Sequence, residues 1–293
     1  MRGEIINSLF AQMESNSDIF FVTADMGINL VEKFGEKYPD RYANVGIAEQ
    51  NMIGISAGLA NLGFLPFAYT ISNFAIHRCF EQIRNDISLH GYPITLLGTS
   101  TGYDNAPLGP THHIIDDWGS LKSIPNIDIY CPSSLAYAAG LIGRIIELGR
   151  PAYVRIPKGA HSNPESEEDI VLLKGGGDDV LLVSYGNPAQ ACINARKCDP
   201  RISVLIINRL RPLEEAKLLE ILDKYRRIIV VEDHMPLSGM YGSLCELIAR
   251  NPVKGRIESL APSGYTFEVG TKPDYFFAKY GLDVPGIFSF IGS

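Results

Sequence analysis

Short runs of apolar and β-branched residues alternate with segments of helical periodicity along most of the chain. Near the start, Ile5, Leu9 and Met13 recur at helical spacing, and a strand-like run follows at residues 19–23. Brief apolar runs bounded by turn residues are typical of buried parallel strands, and the helical segments between them are typical crossovers. The pattern predicts an α/β fold with strands at 19–23, 67–70, 94–97, 127–130, 152–156, 180–185, 203–207 and 228–231, and helices at 49–62, 74–88, 135–148, 190–197 and 214–225.

The alternation is interrupted once, after the apolar run Ala152–Ile156. The interrupting segment contains Pro164, several acidic residues and three glycines at 175–177, a composition typical of linkers. The length of 293 residues also suits two domains of about 150 residues each. We therefore expect a parallel-sheet domain at residues 1–160, a linker at 161–178 and a smaller α/β domain at 179–293.

The composition excludes several classes of protein. Apolar residues make up 46% of the chain and charged residues 20%, as in a soluble globular enzyme. The formal net charge of −7 argues against a nucleic-acid partner. Five cysteines without CxxC spacing support neither a zinc site nor a disulfide framework, so we expect a reducing cytoplasm. Because no run of about 20 apolar residues occurs, we expect no membrane span.

The candidate chemistry lies where predicted strands end, since ligands of parallel sheets bind at the carboxyl edge. Residues 44–50, Asn-Val-Gly-Ile-Ala-Glu-Gln, place Glu49 in the first turn of a helix. Taken alone, Glu49 could simply complement the helix dipole. Arg155 is unusual because it lies inside an apolar strand, where an unpaired charge is costly. The strand-end rule selects Asp25, residues 70–74, residues 98–112 and Arg155.

Two further motifs are ambiguous by themselves. Residues 109–113, Gly-Pro-Thr-His-His, form a rigid turn with two imidazoles, and a pair of loop histidines often has no function. Residues 81–86, Glu-Gln-Ile-Arg-Asn-Asp, would ordinarily be a solvated helix face with ion pairs. Neither motif identifies an activity without the others.

In this order, the motifs resemble the C-terminal two-thirds of transketolases and 1-deoxyxylulose-5-phosphate synthases. The resemblance covers nearly the whole chain, and its most specific parts are the segment around Glu49 and the GPTH turn at 109–112. It implies a pyrimidine-binding domain followed by a transketolase C-terminal domain. The other matching segments are Arg2, residues 24–25, 41–52, 74–86, 123–126, Arg155, residues 210–213 and 231–234.

The resemblance implies thiamine diphosphate as the cofactor, whose thiazolium ring becomes a nucleophile when it loses a proton. Glu49 matches the family glutamate that hydrogen-bonds the pyrimidine ring and promotes this proton loss, which implies a catalytic role. The family also packs the pyrimidine among aromatic side chains, for which Phe74 matches best and Phe80 is the second candidate. Asp25 and Ile47 complete the implied cofactor-binding set.

One family motif is missing. Full-length transketolases hold magnesium and the diphosphate with a GDG motif, and no GDG triplet occurs in the 293 residues. We therefore expect the diphosphate and Mg²⁺ to be held mainly by a separate alpha subunit, with this chain as the beta subunit of an α2β2 heterotetramer. No metal ligand is expected here, and this chain should be active only with that partner.

The resemblance also suggests how a substrate is held. Arg2 and Arg155 match two arginines that bind the acceptor's phosphate, a group that suits the planar guanidinium. His112 matches a histidine that hydrogen-bonds an oxygen of the ketose, keto acid or covalent intermediate. His113 replaces the usual glutamine and is expected to do similar work. The expected substrate is a small molecule, with phosphorylation left open.

Two departures from the family argue against the standard pentose-phosphate reaction. Leu108 stands where the GEDGPTH-like segment has an aspartate that binds a sugar hydroxyl, and Ser100 stands where a phosphate-contacting histidine is usual. A leucine cannot pair that hydroxyl, and a buried unpaired hydroxyl costs ~1–3 kcal/mol. We expect a deoxygenated, differently configured or non-sugar substrate.

Three alternatives stay open at this point. The beta component of a 2-oxo acid dehydrogenase shares the two-domain plan but would transfer an acyl group to a lipoyl arm. A synthase that decarboxylates pyruvate would release carbon dioxide. A non-catalytic scaffold subunit is a third possibility, against which Glu49, Asp25 and His112 weigh because a scaffold needs no such constellation.

Overall fold

The computed structural model describes residues 1–27, 29–159 and 165–293. Within these residues the helices are α1 (Arg2–Ser15), α2 (Glu32–Lys37), α3 (Glu49–Asn61), α4 (Ser72–Ile76), α5 (Phe80–Gln82), α6 (Asp117–Leu121), α7 (Leu135–Leu148), α8 (Pro188–Cys198), α9 (Glu215–Leu222), α10 (Met240–Arg250), α11 (Pro273–Tyr280) and α12 (Val284–Gly292). The strands are β1 (Ile19–Thr23), β2 (Tyr42–Asn44), β3 (Leu65–Ile71), β4 (Thr95–Thr99), β5 (Asp128–Tyr130), β6 (Ala152–Ile156), β7 (Ile170–Leu173), β8 (Val180–Ser184), β9 (Ser203–Ile207), β10 (Arg209–Arg211), β11 (Arg227–Val231) and β12 (Arg256–Leu260).

The first sheet has the order β10-β5-β6-β4-β3-β1-β2 and is parallel except for β10. Side chains of successive strand residues alternate between its two faces. Phe21 and Phe67 therefore join the core beneath α1 and α7, whereas Val22 and Ala68 join the core on the side of α3. Both faces are covered, which explains why the central strands are apolar at nearly every position.

The second sheet has the order β12-β11-β8-β9-β7, with only β7 antiparallel to its neighbour. The two sheets confirm the predicted α/β architecture of two domains with parallel-dominated sheets. The domains also share strands and core, because β10 follows the second-domain strand β9 along the chain but pairs with β5 of the first sheet. One apolar cluster contains Trp118 of the first domain and Tyr185 of the second.

The expected linker at 161–178 needs correction. Its residues 170–173 form β7, which pairs with β9 along all four residues. The acidic residues and glycines on either side hid this strand, since an edge strand needs only a few apolar residues on one face. The boundary at residue 160 and the proline at 164 lie outside the described residues.

The single helix expected at 74–88 is interrupted. It consists of α4, a turn at residues 77–79, α5 and a π-helical segment at Ile83–Ser88. Cys79, with φ −108° and ψ 13°, departs from helical geometry. This break changes the direction of the side chains that follow Phe74. No helix among the described residues has both the length and the apolar character to cross a membrane.

Candidate active site

Three polar segments meet at the carboxyl edge of the first sheet, as the strand-end rule predicts. Asp25 follows β1, α4 begins directly after β3, and Ser100 follows β4. These strands are neighbours in the order β4-β3-β1. The topology therefore brings together residues that are 75 positions apart in the chain.

Asn44 organises the loop that leads into α3. Its Oδ1 accepts hydrogen bonds from the backbone N–H groups of Asp25 and Gly46, both at 3.0 Å, and its Nδ2 lies 3.4 Å from Asp25 Oδ1. Gly46 has φ +73°, a conformation that glycine adopts without steric cost. This turn places Glu49 at the first residue of α3, where its side chain is only 2% exposed.

The buried Glu49 carboxylate has a cationic partner. Arg78 Nη1 lies 2.5 Å from Glu49 Oε2, and 42% of the Arg78 side chain is exposed. The same guanidinium lies over the ring of Phe74, 4.2 Å from its centroid. Phe74 in turn meets His112 edge to face at 5.3 Å. Glu49, Phe74 and His112 thus lie in one contiguous group, with Arg78 between Glu49 and Phe74.

The GPTH turn is held from both domains. Gly109 has φ +74°, and its carbonyl accepts hydrogen bonds from the N–H groups of His112 and His113 at 2.9 and 3.1 Å. Asn73 Nδ2 donates to the carbonyl of Thr111 at 2.5 Å. Val269 of the C-terminal domain packs so closely that a Cβ on Gly109 would lie 3.1 Å from it. The turn is therefore anchored against α4 and against the second domain.

A polar chain extends this anchoring into the C-terminal domain. His77 Nδ1 lies 3.0 Å from Asn73 Oδ1, and His77 Nε2 lies 3.4 Å from Asp116 Oδ1. The Tyr265 hydroxyl donates to the other carboxylate oxygen of Asp116. Asp116, His77 and Asn73 thus connect Tyr265 of the C-terminal domain to the GPTH turn.

Arg155 does not reach the candidate site. Its side chain is fully buried, with Nε 2.9 Å from Asp117 Oδ2 and Nη1 3.1 Å from Asp233 Oδ1. The Tyr153 hydroxyl donates to Asp117 at 2.7 Å. Both neighbouring carboxylates already neutralise Arg155, which argues against the expected contact with a substrate phosphate, and that role stays a prediction. Arg155 instead joins β6 to Asp233 of the second domain.

The remaining predicted residues occupy varied environments. Ile47 is 78% exposed and Leu108 is 56% exposed. Ser100 is fully buried with φ +67°, and its hydroxyl has no hydrogen-bond partner among the described residues. The side chain of His113 packs against the stacked rings of Tyr103 and Phe276, with ring centroids at 5.2 and 4.7 Å and an interplanar angle of 73° to each.

Phe80 is half-buried against the core of the first domain, so its expected contact with the cofactor stays a prediction. Burial lowers the pKa of both His112 and His113. The two imidazoles therefore favour the neutral form, in which each ring has one donor and one acceptor nitrogen. That form suits His112 to hydrogen-bond an uncharged substrate oxygen.

Two basic residues were missed by the sequence analysis. Arg78 lies four residues after Phe74, and this spacing could have suggested that the two side chains meet. Lys158 follows β6 and donates to Asn105 Oδ1 at 2.5 Å. Burial, with a smaller contribution from the positive charge of Arg2, lowers the pKa of Lys158. Lys158 also lies beside Asp104, whose Oδ2 accepts a hydrogen bond from the Lys158 backbone N–H at 2.9 Å.

The described residues contain no group of three or more His, Cys, Asp or Glu side chains that could hold a metal ion. The site does fit an aminopyrimidine. Glu49 presents a buried carboxylate able to hydrogen-bond a ring nitrogen, and Phe74 presents an aromatic face beside it. The residues that fit thiamine diphosphate on this chain are thus those for its pyrimidine part.

His234 gives the domain interface a pH dependence. It is fully buried, 3.7 Å from Asp117 Oδ1, and burial lowers its pKa from 6.5 to about 4. Between these pH values the unfolded chain binds a proton that the folded chain does not, so stability falls as the pH decreases. We expect His234 to account for a loss of roughly 3 kcal/mol in the free energy of unfolding across that window.

Urea unfolding of wild type and His234→Gln at about pH 7.5 and about pH 4.5 measures this effect. Glutamine keeps a donor and an acceptor but does not titrate. The variant should therefore lose less stability on acidification than wild type. Equal losses in the two proteins would contradict the assignment.

Comparison with protein families agrees with this architecture. Residues 3–163 match the model for the transketolase pyrimidine binding domain, and residues 169–287 match that for the transketolase C-terminal domain. The fold and site thus define a pyrimidine-binding domain joined to a transketolase C-terminal domain. The chain belongs to the transketolase family, for which thiamine diphosphate is the implied cofactor.

Individual relatives refine this picture. An apulose-4-phosphate transketolase subunit of Phocaeicola vulgatus is 28% identical over 98% of this chain and 94% of its own length. The 1-deoxy-D-xylulose-5-phosphate synthase of Syntrophus aciditrophicus is 29% identical over 96% of this chain but only 45% of its own. A solved structure described as an inactive β4 tetramer of a split-gene transketolase has a TM-score of 0.86 and 25% identity, covering 98% of this chain and 95% of that chain.

Proposed function

We propose that this chain is the beta subunit of a split, thiamine-diphosphate-dependent transketolase-like enzyme. The observation that carries the proposal is the buried Glu49 carboxylate, held beside the Phe74 ring and the His112 turn at the carboxyl edge of the first sheet. Burial of a carboxylate is costly unless a partner compensates for it. A purely structural domain would gain nothing from this arrangement.

Glu49 is proposed to hydrogen-bond a ring nitrogen of the pyrimidine and to exchange a proton there. Phe74 would pack against the pyrimidine, and Asp25, Ile47 and Phe80 remain further candidates for its surroundings. When bound, thiamine diphosphate supplies a nucleophilic carbon for carbonyl chemistry. Burial shields the Glu49 carboxylate from water, which would keep its proton exchange directed at the pyrimidine.

The diphosphate and Mg²⁺ are proposed to bind an alpha subunit. The similarity in length to the P. vulgatus relative, which is named as one subunit of a transketolase, supports this division. The exposed Ile47, at 78%, borders the Glu49 loop and would be covered by that partner. We propose an α2β2 assembly in which each active site lies between one alpha and one beta chain.

The proposed reaction is transfer of a two-carbon ketol unit between a ketose or keto-acid donor and an aldehyde acceptor. His112 would hydrogen-bond a substrate oxygen, and Arg2 would attract an anionic group of the substrate. Leu108 has no hydrogen-bonding group for a sugar hydroxyl. A substrate that differs from the common pentose phosphates is consistent with Leu108, and the relative from P. vulgatus is named for apulose-4-phosphate.

The test is reconstitution with the alpha subunit, followed by calorimetric titration of thiamine diphosphate with Mg²⁺ into each chain and into the mixture. We expect tight binding only in the mixture, with two-carbon transfer and no need for a lipoyl protein. Transfer to a lipoyl arm or release of carbon dioxide would instead assign the chain to a 2-oxo acid dehydrogenase or a decarboxylating synthase. If the assembled complex does not bind thiamine diphosphate, the result would favour a non-catalytic scaffold role for this chain.

A further inference from the structure

Arg78 makes, within this chain, the two contacts that the proposed pyrimidine would need. Its Nη1 donates to Glu49 Oε2 at 2.5 Å, and its guanidinium lies 4.2 Å from the centroid of the Phe74 ring. A guanidinium is planar and delocalised, so it can stack on an aromatic face and donate from its edge at the same time. A heteroaromatic ring would use the same carboxylate and the same aromatic side chain.

Arg78 and the pyrimidine would compete for the same contacts with Glu49 and Phe74. Glu49 is only 2% exposed, so its carboxylate can be approached from few directions. The Arg78 guanidinium already occupies one carboxylate oxygen and one face of Phe74, and the His112 ring contacts Phe74 with centroids 5.3 Å apart. A ring that enters between Glu49 and Phe74 would have to displace the guanidinium.

Arg78 is also free to move away without unfolding the domain. It lies in the turn at residues 77–79, between α4 and α5, rather than inside a helix. Its side chain is 42% exposed. The guanidinium can therefore rotate further into solvent without crossing packed side chains. Its neighbour Cys79 is fully buried and fixes the turn while the arginine side chain changes rotamer.

We infer that Arg78 is a displaceable internal substitute for the cofactor's pyrimidine, which it replaces on Glu49 and Phe74 when the cofactor is absent. The inference rests on the proposed function of that site. In the cofactor-free chain, Arg78 compensates the buried Glu49 charge, which would otherwise be costly. Cofactor binding must then break the ion pair. The apparent affinity is therefore the intrinsic affinity multiplied by the fraction of molecules in which Arg78 has left Glu49.

The experiment is calorimetric titration of thiamine diphosphate with Mg²⁺ into the reconstituted α/β complex, comparing wild type with Arg78→Met. Methionine keeps an unbranched apolar stem but cannot pair with Glu49. We expect the dissociation constant to fall roughly three- to fivefold, as removal of a competing half-exposed ion pair would produce. Arg78→Lys, which keeps the charge without the planar group, should give an intermediate value.

Arg84→Met is the matched control, because Arg84 is exposed on the same segment and bonds only its neighbour Asn85, at 2.7 Å, among the contacts described. Its affinity should equal that of wild type. Inorganic diphosphate with Mg²⁺ should bind all variants equally, since it lacks the pyrimidine. Unchanged or weaker thiamine diphosphate binding by Arg78→Met, or equally tighter diphosphate binding, would overturn the inference. Absence of binding by the wild-type complex would instead overturn the proposed function.

Discussion

Replacement of Glu49 by glutamine is expected to lower kcat of the reconstituted complex at least ~100-fold, the usual loss when a positioned acid–base group is removed. Glutamine has nearly the same shape and can still hydrogen-bond a ring nitrogen, but it cannot exchange a proton. Glu49→Asp should also be poor, because the shorter side chain withdraws the carboxylate by about one methylene. Steady-state kinetics of the complex with each variant measures the effect.

The control for this substitution is Glu81→Gln, an exposed glutamate on the segment that begins with α5. It should leave kcat unchanged. Size-exclusion chromatography should show that the Glu49→Gln complex assembles normally, since Arg78 remains partly solvated without its partner. A Glu49→Gln complex that is assembled and retains more than about a tenth of the wild-type kcat would contradict a catalytic role for this carboxylate.

Replacement of Arg155 by methionine is expected to lower the free energy of unfolding by about 3–5 kcal/mol. Asp117 and Asp233 would lose the cation that lies 2.9 and 3.1 Å from them, while both remain fully buried. Burial raises the pKa of Asp233 to about 6 even with Arg155 beside it, so the charged carboxylate would be still less favourable without that cation. Urea unfolding near neutral pH measures the loss.

Arg201→Met is the control, since Arg201 pairs with Asp199 at 2.7 Å but is 84% exposed. The Arg201→Met protein should have the same free energy of unfolding as wild type. A second readout separates the structural role from substrate binding. Below its unfolding transition, the Arg155→Met complex should keep the wild-type KM for phosphorylated substrates. A large rise in KM with unchanged stability would restore the phosphate-binding role that the sequence suggested.

The sequence by itself determined the α/β architecture, and it singled out the candidate site residues as a prediction. Short apolar runs between helical segments predicted the positions of most strands. A strand of a parallel sheet is buried on both faces, so nearly all its residues are apolar. The motif around Glu49, with Phe74 and the GPTH turn, indicated the site, and these residues do lie together. They could be predicted because they lie in local motifs at the carboxyl ends of strands, where a ligand binds.

The tertiary structure alone decided which charges meet. Arg155 was correctly singled out as a charge within an apolar strand, but its partners come from α6 and from the segment after β11. The pairing of Arg78 with Glu49 likewise depends on the turn at 77–79 that interrupts a predicted continuous helix. Periodicity records whether a position is buried, whereas the partner of a buried charge is set by the packing of elements distant in the chain.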